Sequence, residues 1–163
     1  MKKLGLTTVI IVSLTFLFSG MQGQTTQLDQ IKLMNGQLGT WQTVLNKDTT
    51  EIAEFQQYEG AYLEHMYIVI NGKKSLNMVN VFSFDPNEGK FKGFVVFTNG
   101  ESATWTGSYV NEKTFNLVVG KDFKPDIVYF KTETTQVSPT SQTSITYNPQ
   151  GIKTGEVKNT KIK

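Results

Sequence analysis

Ser102-Ala103-Thr104-Trp105-Thr106-Gly107-Ser108-Tyr109 alternates hydroxyl residues with small or aromatic ones at every step. Successive side chains of a strand point to opposite faces, so this spacing predicts a β-strand with one wet face and one buried face carrying Ala103, Trp105, Gly107 and Tyr109. Segments of the same kind flank it: Met78 to Phe84, Phe91 to Thr98 and Phe115 to Val119, each ended by turn-forming residues. Short apolar runs punctuated in this way are consecutive antiparallel strands joined by hairpins.

The turns carry register information. Asn71-Gly72 is a two-residue hairpin signal, and Asp85-Pro86-Asn87-Glu88-Gly89 joins a proline that presets φ to a glycine that supplies positive φ. At Asn99-Gly100 side-chain parity decides. A two-residue loop would pair Phe94 with Trp105 and leave Phe91, Val95 and Phe97 on the same face as Ser102, Thr104 and Thr106. A three-residue loop Thr98-Asn99-Gly100, with Gly100 in the left-handed position of a bulge, pairs Gly93 with Trp105 and Phe91 with Gly107, so that each glycine makes room for a ring. The three-residue register is the expected one.

Upstream, Thr26-Gln27-Leu28-Asp29 has the spacing of a capping box with aspartate in its last place. Leu28, Ile31, Met34 or Asn35, and Leu38 then recur at helical spacing, which predicts a short helix over 28–37. Gly39-Thr40-Trp41 opens a first strand reaching about Leu45; Glu51 to Tyr58 and Tyr62 to Ile70 are the second and third. Downstream, Asp126 to Thr135 and Thr143 to Tyr147 flank a turn at Val137-Ser138-Pro139-Thr140. The serine- and threonine-rich stretch 132–144 reads either as a hairpin with threonine rungs or as a mobile loop at a barrel mouth. Residues 150–163 hold four lysines and one acid without a pattern and are expected to form a flexible tail. Contact of that tail with an anionic envelope surface is the functional alternative.

A short helix followed by Gly-x-Trp at the start of a strand meander resembles the lipocalin and fatty-acid-binding group, the calycins. A nearer likeness is to small secreted bacterial lipocalin-like proteins, which share the Gly39-Thr40-Trp41 start, a segment like Gly60-Ala61-Tyr62-Leu63-Glu64-His65, and Phe84-Asp85-Pro86-Asn87-Glu88-Gly89-Lys90-Phe91 between two strands. The resemblance spans about 38–147 and implies an all-β, up-and-down antiparallel barrel of eight to ten strands with a short N-terminal helix. Between Leu45 and Glu51 there is no room for the helical lid of fatty-acid-binding proteins. Their arginine clamp on a ligand carboxylate is also excluded, and only a lysine could stack on the Gly-x-Trp indole, because the chain has no arginine.

The 163-residue chain begins with Lys2-Lys3, an apolar run from Leu4 to Phe18 and a small, polar stretch to Gly23. This has the form of a secretory signal peptide and is too short and interrupted for a membrane span. The expected organisation is a leader over 1–23, one barrel domain over 24–149 and the tail over 150–163, with a secreted or periplasmic location and no stable membrane span after removal of the leader. No cysteine is present, so neither a disulfide nor a lipid-bearing cysteine is possible. Beyond residue 23 fourteen lysines face fourteen acids, giving no net charge with His65 neutral. Nothing concentrates the basic face that nucleic-acid binding needs.

One histidine, no cysteine and no Gly-x-Ser-x-Gly elbow leave little for hydrolase or transferase chemistry, so no enzyme activity and no cofactor are expected. Glu64 and His65 are neighbours in a strand, so one faces inward and the other outward. Burying an ionised carboxylate costs more than burying a neutral imidazole, which favours His65 inside. Iron of a haem is the alternative use of His65, although in haem-binding barrels of this type the ligand histidine lies late in the chain. The candidates for a cavity lining are Trp41, Tyr62, His65, Tyr67, Phe91, Trp105, Tyr109 and Tyr129. Rings of this kind either fill a core or line a cavity for one small, partly apolar ligand bound without chemical change. A filled barrel meeting an envelope partner through its surface is the alternative function.

Overall fold

A computed structural model of the chain describes residues 28–124 and 126–163. The expected leader, and Thr26 of the capping box, lie outside the described residues. Among the latter one short helix, α1 (Gln30–Asn35), precedes ten strands: β1 (Gly39–Val44), β2 (Thr49–Tyr58), β3 (Ala61–Ile70), β4 (Lys73–Asp85), β5 (Lys90–Phe97), β6 (Ser102–Tyr109), β7 (Thr114–Gly120), β8 (Val128–Ser138), β9 (Ser141–Tyr147) and β10 (Lys153–Lys161). Each strand pairs antiparallel with its sequence neighbours, and β1 pairs with β10, which closes an up-and-down barrel. Closure leaves no sheet edge to template aggregation.

The turns do what their residues dictate. Asn71 and Gly72 take φ of 49° and 78° and bring Ile70 opposite Lys73, the two-residue hairpin that Asn-Gly favours. Gly100 has φ of 89°, Phe97 N–H donates to the Glu101 carbonyl, and Gly93 pairs with Trp105 and Phe91 with Gly107, as the three-residue loop requires. A Cβ on Gly93 would overlap the Trp105 indole. At Gly107 the ring that needs the space belongs to Phe115 on β7 rather than to Phe91 on β5.

The short helix is present with narrower bounds, and the expected tail is overturned. The helix is shorter than 28–37: Asp29 is its N-cap, with Oδ1 accepting from Lys32 N–H at 2.9 Å, and Gly36 ends it. Aspartate accepts its own cap bond, so no capping box is needed. The expected tail is β10. Its Val157 and Asn159 pair with Ser144 and Gln142, while Thr160 and Lys161 pair with Gln42 and Trp41. The lysines there alternate outward in part and so mask a strand that both neighbours hydrogen-bond.

The start of β1 shows why Gly-x-Trp stands where it does. Gly39 sits at φ of 120°, a conformation that favours glycine, and the Lys161 side chain and Lys163 carbonyl press against its Cα where a Cβ would go. Thr40 N–H donates to that carbonyl at 2.7 Å. Trp41 donates Nε1–H to the Gln37 carbonyl at 2.8 Å, and the Lys161 ammonium lies 5.5 Å from the Trp41 ring and bonds the Gly36 carbonyl at 3.1 Å. A single lysine from the last strand thus covers the indole and the C-terminus of α1 together, both favourable places for a cation.

Beneath α1 the barrel is packed. Met34, Tyr62, Phe82, Phe91, Trp105 and Tyr109 form the centre of the core, with Phe91 fully buried. Tyr62 stacks on Phe82 with centroids 5.0 Å apart, and Phe82 meets Trp105 at 5.1 Å. The helix is tied to this floor by polar tips: Tyr62 Oη donates to Asn35 Oδ1 at 2.7 Å, Tyr109 Oη to the Leu33 carbonyl at 3.2 Å, and Gln30 bonds both backbone groups of Tyr109. Tyrosine suits this place because its ring is buried while its hydroxyl reaches a partner.

Candidate functional site

Above that floor the interior is open. A cavity of about 360 Å³ extends from beside α1 into the barrel. Its volume sits at the lower end of small-molecule sites and well above the engineered void of about 150 Å³ that holds a benzene.

The walls differ in chemistry because the strands that supply them differ in sequence. On one side β4 to β7 present Met78, Phe82, Val95, Phe97, Trp105, Phe115, Leu117 and Val119. Opposite, β8, β9, β10 and β1 present Thr132, Thr134, Gln136, Gln142, Ser144, Asn159 and Thr43 beside the apolar Phe130, Val157 and Trp41. Four of these form a hydrogen-bonded belt across four strands. Thr134 Oγ1 and Ser144 Oγ are 2.9 Å apart, Asn159 Nδ2 donates to Ser144 Oγ at 3.0 Å, and Thr43 Oγ1 donates to Asn159 Oδ1 at 2.6 Å. The serine- and threonine-rich stretch is therefore a hairpin whose inward rungs face the cavity.

Between the two walls stand carboxylates. Glu64 on β3 points inward and is only 7 % exposed. Its Oε2 accepts from Asn80 Nδ2 at 2.9 Å, and Asn80 Oδ1 accepts from Trp105 Nε1 at 2.8 Å, so indole, amide and carboxyl form one buried chain. Burial pushes the Glu64 carboxyl up to about 7; the Asn80 bond opposes the rise and the nearby Glu51 adds to it. Glu51 on β2 also lines the cavity and is raised by burial. Lys113, just before β7, is the one lysine lining the cavity among the described residues, and it is exposed. Lys113 and Gln136 also line a surface groove between α1 and the turns after β6 and β8.

Of the residues expected to line a cavity, Trp41, Trp105 and Tyr109 do so. Tyr62 and Phe91 face inward but belong to the packed floor. His65, Tyr67 and Tyr129 point outward, contrary to expectation. On β3 the inward series is Tyr62, Glu64 and Met66, so Glu64 is inside and His65 is outside, 6.4 Å from Tyr67, whose ring carries the Lys74 ammonium at 3.7 Å. On β8 the inward residue is Phe130, and Tyr129 is 48 % exposed. The cost argument that favoured His65 fails because the carboxyl escapes most of its desolvation cost by holding a proton near neutral pH and by bonding Asn80. Sequence reading weighed Glu64 as the alternative to His65 and missed Glu51, Asn80 and the polar belt. The pairing of Phe82 with Gly93, and hence with Trp105, was the signal that fixes Asn80 as inward. Among the described residues no group of three or more histidine and acidic side chains could hold a metal ion, and no helix is long and apolar enough to cross a membrane.

Compared with protein-family models and with curated proteins, the sequence matches none.

Proposed function

We propose that the barrel binds one small, partly apolar molecule in its interior and performs no chemistry on it. The observation that carries this reading is the cavity of about 360 Å³ with an aromatic wall on one side and a hydrogen-bonding belt on the other. Apolar cavities with a few convergent polar groups are the usual form of ligand sites. The lipocalin resemblance supports the same reading, with Lys161 on Trp41 in the place where that group stacks a basic residue. The leader-like segment 1–23 supports export as the setting. Native mass spectrometry of the chain purified from its own source tests the proposal. A mass above the denatured chain, lost on mild activation, is expected; a native mass equal to the denatured mass, together with no displacement of bound apolar dye by any small molecule of fitting size, would overturn it.

A further inference from the structure

The buried carboxyl of Glu64 uses one oxygen on Asn80, and the other, Oε1, has no protein partner among the described residues. No fully sealed side-chain oxygen or nitrogen among those residues lacks a partner, so Oε1 is open to the cavity. When ionised, this carboxyl is an acceptor-only group, and inside a chamber whose lining cation is an exposed lysine it is complementary to a donor that brings its own positive charge. The aromatic wall adds to this, since ring faces attract cations. We propose that the interior ligand is a small amine whose protonated nitrogen docks against Glu64, with its apolar part on the Trp105 side and its remaining N–H or hydroxyl groups on the Asn159 belt. This rests on the interior-ligand reading above and narrows it to one chemical class.

Charge around Glu64 is simple. From β2 it faces Glu51; β1, β4, β5, β8, β9 and β10 give the cavity no titratable side chain; β6 gives Tyr109, and the β7 end gives Lys113. Tyr109 is pushed up to about 12, chiefly by burial, and stays neutral at physiological pH. The second carboxylate therefore reinforces attraction for a cation rather than balancing it. Docking an ammonium on Glu64 requires the carboxyl to be ionised, so binding releases a proton wherever Glu64 is protonated in the free protein.

The test compares phenethylamine with 2-phenylethanol and phenylacetate, which keep the ring and change the head group, by calorimetric titration of the full chain as its host makes it. The amine is expected to bind at least tenfold more tightly than the alcohol at pH 8, and the acid least. Between pH 8 and pH 6 its affinity should fall about tenfold while that of the alcohol stays constant, as linkage to one proton demands. Glu64→Gln should remove both the preference and the pH dependence. Should that variant fail to fold, the pH series on the unaltered chain decides alone. If the alcohol matches the amine at pH 8, if the amine's affinity is flat from pH 6 to 8, or if none of the three binds, the amine assignment is overturned. The interior-ligand reading stands or falls separately, on the native mass measurement.

Discussion

Replacing Glu64 by glutamine should make the protein more stable at pH 8 and leave it nearly unchanged at pH 4.5. A carboxyl pushed up to about 7 from an ordinary 4.5 is penalised in its ionised form by folding. At about 1.4 kcal/mol per pH unit the gap corresponds to about 3 kcal/mol. For a raised carboxyl the sign is fixed: the folded state binds the proton more strongly, so stability is greatest below the ordinary value, falls as pH rises from 4.5 towards 7, and is constant above. Glutamine cannot ionise, keeps an acceptor for Asn80 and has nearly the shape of the protonated acid. Asp85 and Glu156, held low by hydrogen bonds from Lys92 and Lys153, lose their contribution only below this window. Urea unfolding followed by tryptophan emission, which reports on Trp105 beside Asn80, measures the difference. With slopes of about 1–3 kcal/mol per molar urea, the two midpoints should separate by about 1–3 M between pH 4.5 and pH 8. Parallel midpoint curves across that range would refute the reasoning, because they would mean that Glu64 is not forced to give up its proton inside the fold.

Gly93→Ala should destabilise by about 1–3 kcal/mol in the same assay, since a Cβ there overlaps the Trp105 indole; a neutral or stabilising effect would place the indole elsewhere. Asn80→Ala strands Trp105 Nε1 and Glu64 Oε2, at about 1–3 kcal/mol for each buried group. It should also move the Glu64 titration above 7, and a midpoint that stays put in a pH-dependent fluorescence titration would contradict the hydrogen-bond chain. Removal of 150–163 deletes β10 and breaks the closure, so the truncated chain should lose its cooperative urea transition; a transition like that of the full chain would return those residues to the status of a tail. Lys161→Met keeps the stem but loses the ammonium over Trp41 and should cost about 0.5–1 kcal/mol; an unchanged midpoint would show that the pairing contributes nothing.

The centre of the sheet was legible because its residues leave few alternatives. Trp105 and Tyr109 alternate strictly with hydroxyl residues, and only one loop length at Thr98-Asn99-Gly100 puts glycine opposite tryptophan. The facing of β3 was not legible, and one residue explains why. From Asn71-Gly72 the hairpin pairs Tyr67 with Leu76, but Asn77 bulges, so that Met66 then pairs with Met78 and Glu64 with Asn80. Without the bulge, an inward Phe82 would have placed Ala61, and so His65, inside. Thr98 N–H donates to the Asn77 carbonyl at 2.9 Å, so the bulge is held by the β5 side of the sheet. Such a tertiary contact leaves no local mark on the sequence. β10 was hidden for another reason. Its cavity-lining residues are Val157 and Asn159, too few and too polar to read as a buried face, because they form a cavity wall and not part of a packed core.

The belt Thr134–Ser144–Asn159–Thr43 satisfies itself only in part. Asn159 donates once and accepts once, which leaves an amide proton and a carbonyl lone pair unused, and Ser144, which accepts from Asn159 and shares one hydrogen with Thr134, keeps either a lone pair or its own proton according to which hydroxyl donates. The belt is thus held in place by its own bonds, while Glu64, between the two walls, keeps one oxygen open. Preorganised groups of this kind lose little freedom on binding, which is where much of the cost of binding a small molecule lies. Asn159 sits in the middle of the belt and on the strand that joins β9 to β1. Closure of the barrel and completion of the polar wall are therefore one event, and a chain lacking β10 would lose affinity for any interior ligand even if its aromatic half stayed collapsed.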